Sequence, residues 1–211
     1  LKSYGYKIIG PEIGDMACGE YGEGKMSSPR QIYAYLKNYF NKRNLVKKKN
    51  LKALVTAGPT REYLDPVRYI SNESSGKQGY EIALELSRLG IKTTLVSGPT
   101  NINYSKEIKV KKITTGKQMF CEIKKILPTD IVICTAAVSD FKPIKKNKQK
   151  LKKKKNFDKI QLEKNPDILE YLGKNNNYKP KILVGFSAET ENVIENSLEK
   201  MREKHCDIIV A

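Results

Sequence analysis

The chain has 211 residues, 39% of them hydrophobic and 30% charged, with a formal net charge of +17; that suffices for one ordinary core, as one domain plus a fragment or as two small units. No apolar run approaches the ~18 residues a membrane span needs, and Cys18, Cys121, Cys134 and Cys206, without CxxC spacing, suggest neither a zinc site nor a disulfide framework and fit a reducing, cytoplasmic setting. The positive excess is compatible with nucleic acid, an anionic surface or small polyanions as partners, and equally with a plain lysine bias in composition.

Residues 1–27 are glycine-rich and read as loop. Ser28 and Pro29 then read as N-cap and first-turn proline of a helix through about Arg43, with Ile32, Tyr35, Leu36 and Phe40 on one apolar stripe. The run Lys47–Asn50 is the candidate linker, so the expected units are 1–46, a linker at 47–50, and 51–211.

From Leu51 short β-branched runs alternate with amphipathic stretches, the pattern of a parallel sheet covered by helices. Strands are predicted at Leu51–Ala57, Lys92–Ser97, Ile108–Ile113, Asp130–Ala136, Lys159–Leu162, Lys181–Phe186 and Asp207–Ala211, and helices at Gly76–Leu89, Thr115–Ile126 and Glu191–Lys204. The expected fold class is α/β, a doubly wound, mostly parallel Rossmann-like sheet with helices on both faces and ligands at the carboxyl ends of the strands.

The first βα connection, Gly58 through Lys77, far exceeds the ~2–6 residues usual there, and such length suggests function. Ser74, Ser75, Gly76 and Lys77 stand at a helix start, where backbone N–H groups and the dipole favour an anion; ordinary capping explains the serines as readily. The segment is neither a Walker A loop nor GxGxxG, because the earlier glycine is missing and Gln78 follows Lys77.

After the fourth strand, Ala136 and Ala137 would let a ligand approach the backbone, and Asp140 reads either as a ligand for a ribose, a base or a metal or as a solvated loop aspartate. Nine lysines fall among the fourteen residues Lys142–Lys155; most must be solvated, and one or two are placed to neutralise a triphosphate. Asn165 and Pro166 suit an N-cap and first helical position ahead of Asp167 and Ile168. Phe186 ends a strand, either covering a base or filling the core. Lys200 and Lys204 share one helix face, and His205 takes no role.

Four segments in order, TAGPTREYLDPVRYISNESSGKQG at 56–79, TAAVSDF at 135–141, LEKNPDIL at 162–169 and VGFSAET at 184–190, closely resemble the synthetase domain of the bifunctional phosphopantothenoylcysteine synthetase/decarboxylase. The stretch MACGEYGEGKM at 16–26 is similar to the substrate clasp at the end of the decarboxylase. The resemblance implies that Cys18 acts in that clasp, that the FMN site lies in a decarboxylase portion outside this chain, and that the synthetase domain continues past Ala211. Lys25 stands where relatives often carry arginine, keeping charge and losing bidentate geometry.

The resemblance also implies coenzyme A biosynthesis: the carboxylate of 4'-phosphopantothenate attacks the α-phosphate of CTP, and the amine of cysteine then attacks the acyl-cytidylate. Carried over residue by residue, Gly58 and the SSGK helix start cradle the triphosphate; Ala137, Asp140, Asn165, Pro166, Asp167, Ile168 and Phe186 hold the cytidine end; Lys200 and Lys204 add nucleotide contacts. Arg68 and Asn72 match positions tied to phosphopantothenate and the acyl intermediate, and Lys150 is placed as the catalytic lysine by counting from the AAVSD motif, with Lys148, Lys152 and Lys153 close by. Mg²⁺ is expected with the nucleotide, its ligands unassigned. A homodimer through the synthetase domain, larger for the bifunctional protein, is implied, with neither nucleic acid nor membrane as partner. A nicotinamide dehydrogenase lacks its Gly-rich turn here, and the rival outside enzymology is a basic nucleotide- or nucleic-acid-binding domain using the lysine run.

Overall fold

In the first of two units, Leu1–Lys47, the stretch expected as loop contains an antiparallel ribbon, β1 (Glu12–Asp15) against β2 (Tyr21–Lys25). Helix α1 is described over residues 29–35. It opens as predicted: the Gln31 amide donates to Ser28 Oγ at 3.3 Å and the Ser28 amide to Gln31 Oε1 at 3.0 Å, a reciprocal cap in the sense of a capping box. The computed structural model describes residue 9 and residues 12–15, 21–25, 27–35, 50–152, 159–175 and 177–211. Cys18, the remainder of the helix expected to Arg43 and the linker lysines 47–49 lie outside the described residues, as does the side chain of Lys25.

The second unit, Lys48–Ala211, begins with β3 (Lys52–Ala57), whose residues 53–57 are all buried. An unbroken small and β-branched run of this kind suits a strand covered on both faces. There follow β4 (Glu62–Tyr63), β5 (Tyr69–Ile70), α2 (Lys77–Arg88), β6 (Lys92–Ser97), β7 (Lys109–Lys112) and α3 (Gly116–Ile126). The second half holds β8 (Ile131–Cys134), β9 (Phe141–Pro143), β10 (Leu162–Lys164), α4 (Ile168–Lys174), β11 (Ile182–Phe186), α5 (Val193–Glu203) and β12 (Ile208–Val210).

Six of these strands form one all-parallel sheet in the order β12-β11-β8-β3-β6-β7. The chain starts at β3, winds outward to β7, returns to β8 and winds the other way. Between β3 and β8 the direction of winding reverses, the position at which sheets of this class take ligands at their carboxyl ends.

Pairing register sorts the side chains onto two cores. Leu54, Val96, Val132 and Leu183 pack with Met119 and Ile123 of α3 and Leu172 of α4. Val55, Ala57 and Leu95 pack on the opposite face with Ala83 and Leu84 of α2. Each fully buried Leu or Ile contributes about 1.5–3 kcal/mol by transfer from water. Val55, Ile133, Val184 and Ile208 are register partners on the α2 face, and toward the β11–β12 edge Ile182, Ile208 and Val210 stay exposed.

The helix ends follow local chemistry. Thr115 and Gln118 form a capping box on α3, while α2 stops at Gly90, which takes φ +79° in open space. Two expectations need correction. The strand expected at Lys159–Leu162 is not in the main sheet: β10 begins at Leu162 and pairs antiparallel with β9, which was not anticipated. The α4 N-cap is Asp167 rather than Asn165; its carboxylate accepts the Glu170 amide at 2.8 Å, so Pro166 precedes the helix. The amide and side chain of Asn165 serve the neighbouring loop instead.

Candidate functional site

The loops leaving β3 and β8 stay side by side beyond the strand ends. Pro59 and Ala137 form an isolated parallel bridge, the Ala137 amide donates to Gly58 O at 3.0 Å, and the Ser139 amide donates to the buried Thr60 hydroxyl at 3.1 Å. Two clefts open here.

The first, about 490 Å³, lies on the β8–β11 side. Asp140, Asn165, Pro166, Asp167 and Ile168 line it, with half-buried Phe186 from the end of β11, Lys200 from α5 and Lys204 just past that helix. The Asn165 amide donates to Asp140 O and its Nδ2 to Ser139 O, both at 2.8 Å, which leaves Oδ1 buried without a hydrogen-bond partner among the described residues. Lys204 is held by Asp167 at 3.0 Å and by Glu170 at 3.1 Å. Bonds from Lys174 and then Lys204 lower the Glu170 carboxyl from its ordinary 4.5 to about 2. Cys134 also reaches this cleft, but burial pushes its thiol up to about 12, so at neutral pH it is no nucleophile.

The second cleft, about 540 Å³, lies over the start of α2 and is lined by Asn72, Ser74, Ser75 and Lys77 with Arg61 and Thr100. Neither serine caps the helix. The N-cap is Gly76 at φ +73°, with no side-chain cap and no acidic residue in the first turn. Ser74 and Ser75 reach only the Gly76 and Lys77 amides, both at 3.4 Å. The positive end of the helix is left for an anion. Gly58, also at φ +73°, lies directly beneath: a Cβ on Gly76 would stand 3.2 Å from the Gly58 Cα and 2.7 Å from Thr100 Cγ2.

Asn72 ties the clefts together, donating from Nδ2 to Val138 O at 3.2 Å. Arg68 and Lys150 line neither. The Arg68 guanidinium donates to the Asp65 carboxylate at 3.0 and 2.6 Å and to Leu151 O at 2.7 Å; Lys150 is exposed.

Several residues that shape the site were not singled out from sequence. Asp65 is fully buried, and its position before Pro66, two and three residues ahead of amides it accepts, is an Asx-turn signal that could have been read. Glu62 is buried and accepts the Gly116 amide at α3, and Arg61 stacks over Tyr69 with its Cζ 4.7 Å from the ring centre. Nothing local marks either contact.

The family described as the DNA/pantothenate metabolism flavoprotein C-terminal domain matches residues 48–211. The chain belongs to that family. Among curated relatives, the coenzyme A biosynthesis bifunctional protein CoaBC of Borreliella burgdorferi is 41% identical over 214 residues, covering 100% of this chain and 54% of that protein. The protein of the same description from Escherichia coli K12 is 39% identical over 215 residues, covering 100% and 52%. The chain therefore spans about half the length of the curated relatives it matches. A crystal structure of the C-terminal domain of a CoaBC protein superposes with TM-score 0.66 at 40% identity, covering 77% of this chain and 76% of that one. The family member from Streptococcus pneumoniae, 23% identical at TM-score 0.65, shares the fold.

Proposed function

We propose that the chain supplies the synthetase half of a bifunctional coenzyme A biosynthetic enzyme, ligating cysteine to 4'-phosphopantothenate at the expense of CTP through an acyl-cytidylate. The observation that carries this reading is the pair of clefts joined by the Asn72–Val138 bond at the sheet's switch point. A nucleoside and its phosphates need that combination: a pocket with an aromatic wall and an unanswered acceptor, beside an uncapped helix start. Cytidine occupies the first cleft, with Phe186 along the base and Asn165 Oδ1 offering an acceptor to an amino or hydroxyl group. The phosphates reach toward Ser74, Ser75 and Lys77, where the α2 dipole and Lys77 offset charge that grows as pyrophosphate departs.

Mg²⁺ in this reading is carried by the phosphates. Among the described residues no group of three His, Cys, Asp or Glu converges, and Asp167 and Glu170 in the first cleft are already paired with Lys204; that donor set fits an ion held chiefly by phosphate and water. Cys18 retains the decarboxylase clasp role implied by its motif, and a homodimer through residues 51–211 is part of the same proposal. The test is to incubate the bifunctional protein with 4'-phosphopantothenate, labelled CTP and cysteine. Cysteine-dependent release of CMP and pyrophosphate is expected; no release sinks the ligase reading, and equal turnover with ATP sinks the CTP preference.

A further inference from the structure

The lysine-rich segment leaves the β9–β10 ribbon, and within four residues it is gripped twice by one turn of another loop. Asn147 donates to Leu64 O from its amide at 2.9 Å. Leu151 is held by both main-chain groups: its amide donates to Asp65 Oδ2 at 3.1 Å and its carbonyl accepts from Arg68 Nη2 at 2.7 Å. The gripping turn is braced from within, since Asp65 Oδ1 accepts the Val67 and Arg68 amides, both at 2.8 Å, and the Leu64 amide donates to Arg68 O at 2.9 Å.

We infer that Asp65 is a positioning residue that clamps Leu151 and thereby sets the register of Lys150 within the lysine run; its bearing on catalysis rests on the reading of Lys150 above. A carboxylate with no exposed surface is costly to bury unless its oxygens are answered, and here they are answered by its own turn and by one residue of the lysine run. Burial would raise its pKa, but the bonds from Leu151, Val67 and Arg68 outweigh it and hold the carboxyl well below the usual range. The clamp therefore stays charged across the range in which enzymes work. Because it engages main-chain atoms, it fixes a position in the chain rather than a side-chain identity. In a run of near-identical lysines, that is the kind of contact that can single out one of them.

Amide exchange on the unmodified chain tests the clamp directly. The Leu151 amide should exchange at least about tenfold more slowly than those of Lys148, Gln149 and Lys150, and an unprotected Leu151 amide overturns the inference. In Asp65→Asn the protection should disappear, and tryptic cleavage after Lys150 and Lys152 should rise about tenfold relative to cleavage after the exposed Lys106, outside the segment. A folded variant that keeps Leu151 protected also overturns it; should the variant not fold, the exchange measured on the unmodified chain decides. In the bifunctional enzyme, Asp65→Asn should lower kcat at least about tenfold with KM for the nucleotide within about twofold. Unchanged kcat would overturn the positioning role even with the clamp present. Full activity of Lys150→Ala would instead refute the catalytic reading of Lys150, and the exchange result would still decide the clamp.

Discussion

The side chain of Asn72 and the carbonyl of Val138 meet at 3.2 Å, and through them the loop that leads into α2 is fastened to the loop that walls the first cleft. The two residues are 66 positions apart in sequence. Their contact joins the two clefts, which in the function proposed above act on one ligand.

If that distance matters, Asn72→Ala should cost on the order of 10²-fold in ligase turnover, the scale expected when reacting groups are misplaced by about an ångström. Asn72 is exposed, so Tm should stay within about 2 °C of the parent, as for most surface substitutions. Parallel turnover and melting measurements check both; a large drop in Tm would assign Asn72 to the fold instead.

Gly76→Ala should impair stability and anion binding together. At φ +73° a Cβ costs roughly 1–2 kcal/mol, and it would press on Thr100 Cγ2 and Gly58. Urea midpoints report the first effect and nucleotide titration the second. Thr100→Ser removes the nearest methyl and should recover part of the stability; the φ penalty would remain.

Lys150→Ala should retain nucleotide binding and lose most product formation, the pattern for a group that acts in the transition state more than in the ground state. Binding by calorimetry and turnover by CMP release separate the two. If Lys148→Ala or Lys152→Ala is the inactive variant and Lys150→Ala turns over, the register of the catalytic lysine is wrong.

Glu170 makes stability depend on acid. Its carboxyl is depressed from 4.5 to about 2 by Lys174 and then Lys204, so this contribution is fully present above about pH 4.5 and is lost as pH falls through about 2. Glu170→Gln should lower Tm slightly at neutral pH and flatten the decline between those limits. Melting curves across that interval check it, and parallel declines in parent and variant would remove Glu170 from the linkage.

Much of the framework was legible because it rests on short-range chemistry. The runs at 52–57, 92–97 and 182–186 are apolar enough to be strands buried on two faces, and Gly90 marks the end of α2 for want of a Cβ. Legibility failed where a neighbour in space decided. Ile160 and Leu162 alternate as in a strand whichever sheet they join, and only the return of the chain past Phe141–Pro143 makes Leu162–Lys164 half of a ribbon. Asn165 has a good capping side chain, but that side chain donates to Ser139 O and its backbone amide to Asp140 O, and Asp167 takes the cap.

The sequence by itself therefore determined the doubly wound class, the order of the chemical loops and a good part of the residues now found around the two clefts, because periodicity and motif are properties of consecutive residues. Only the tertiary structure decided that Asn72 ties the clefts, that Lys204 is committed to Asp167 and Glu170, and that Asp65 holds Leu151 from 86 positions away. Each of those contacts joins groups that local propensity cannot relate: the Asn72 and Asp65 contacts exist because the switch between β3 and β8 brings loops from both halves of the sheet to one edge, and the Lys204 pairs because the end of α5 meets the start of α4.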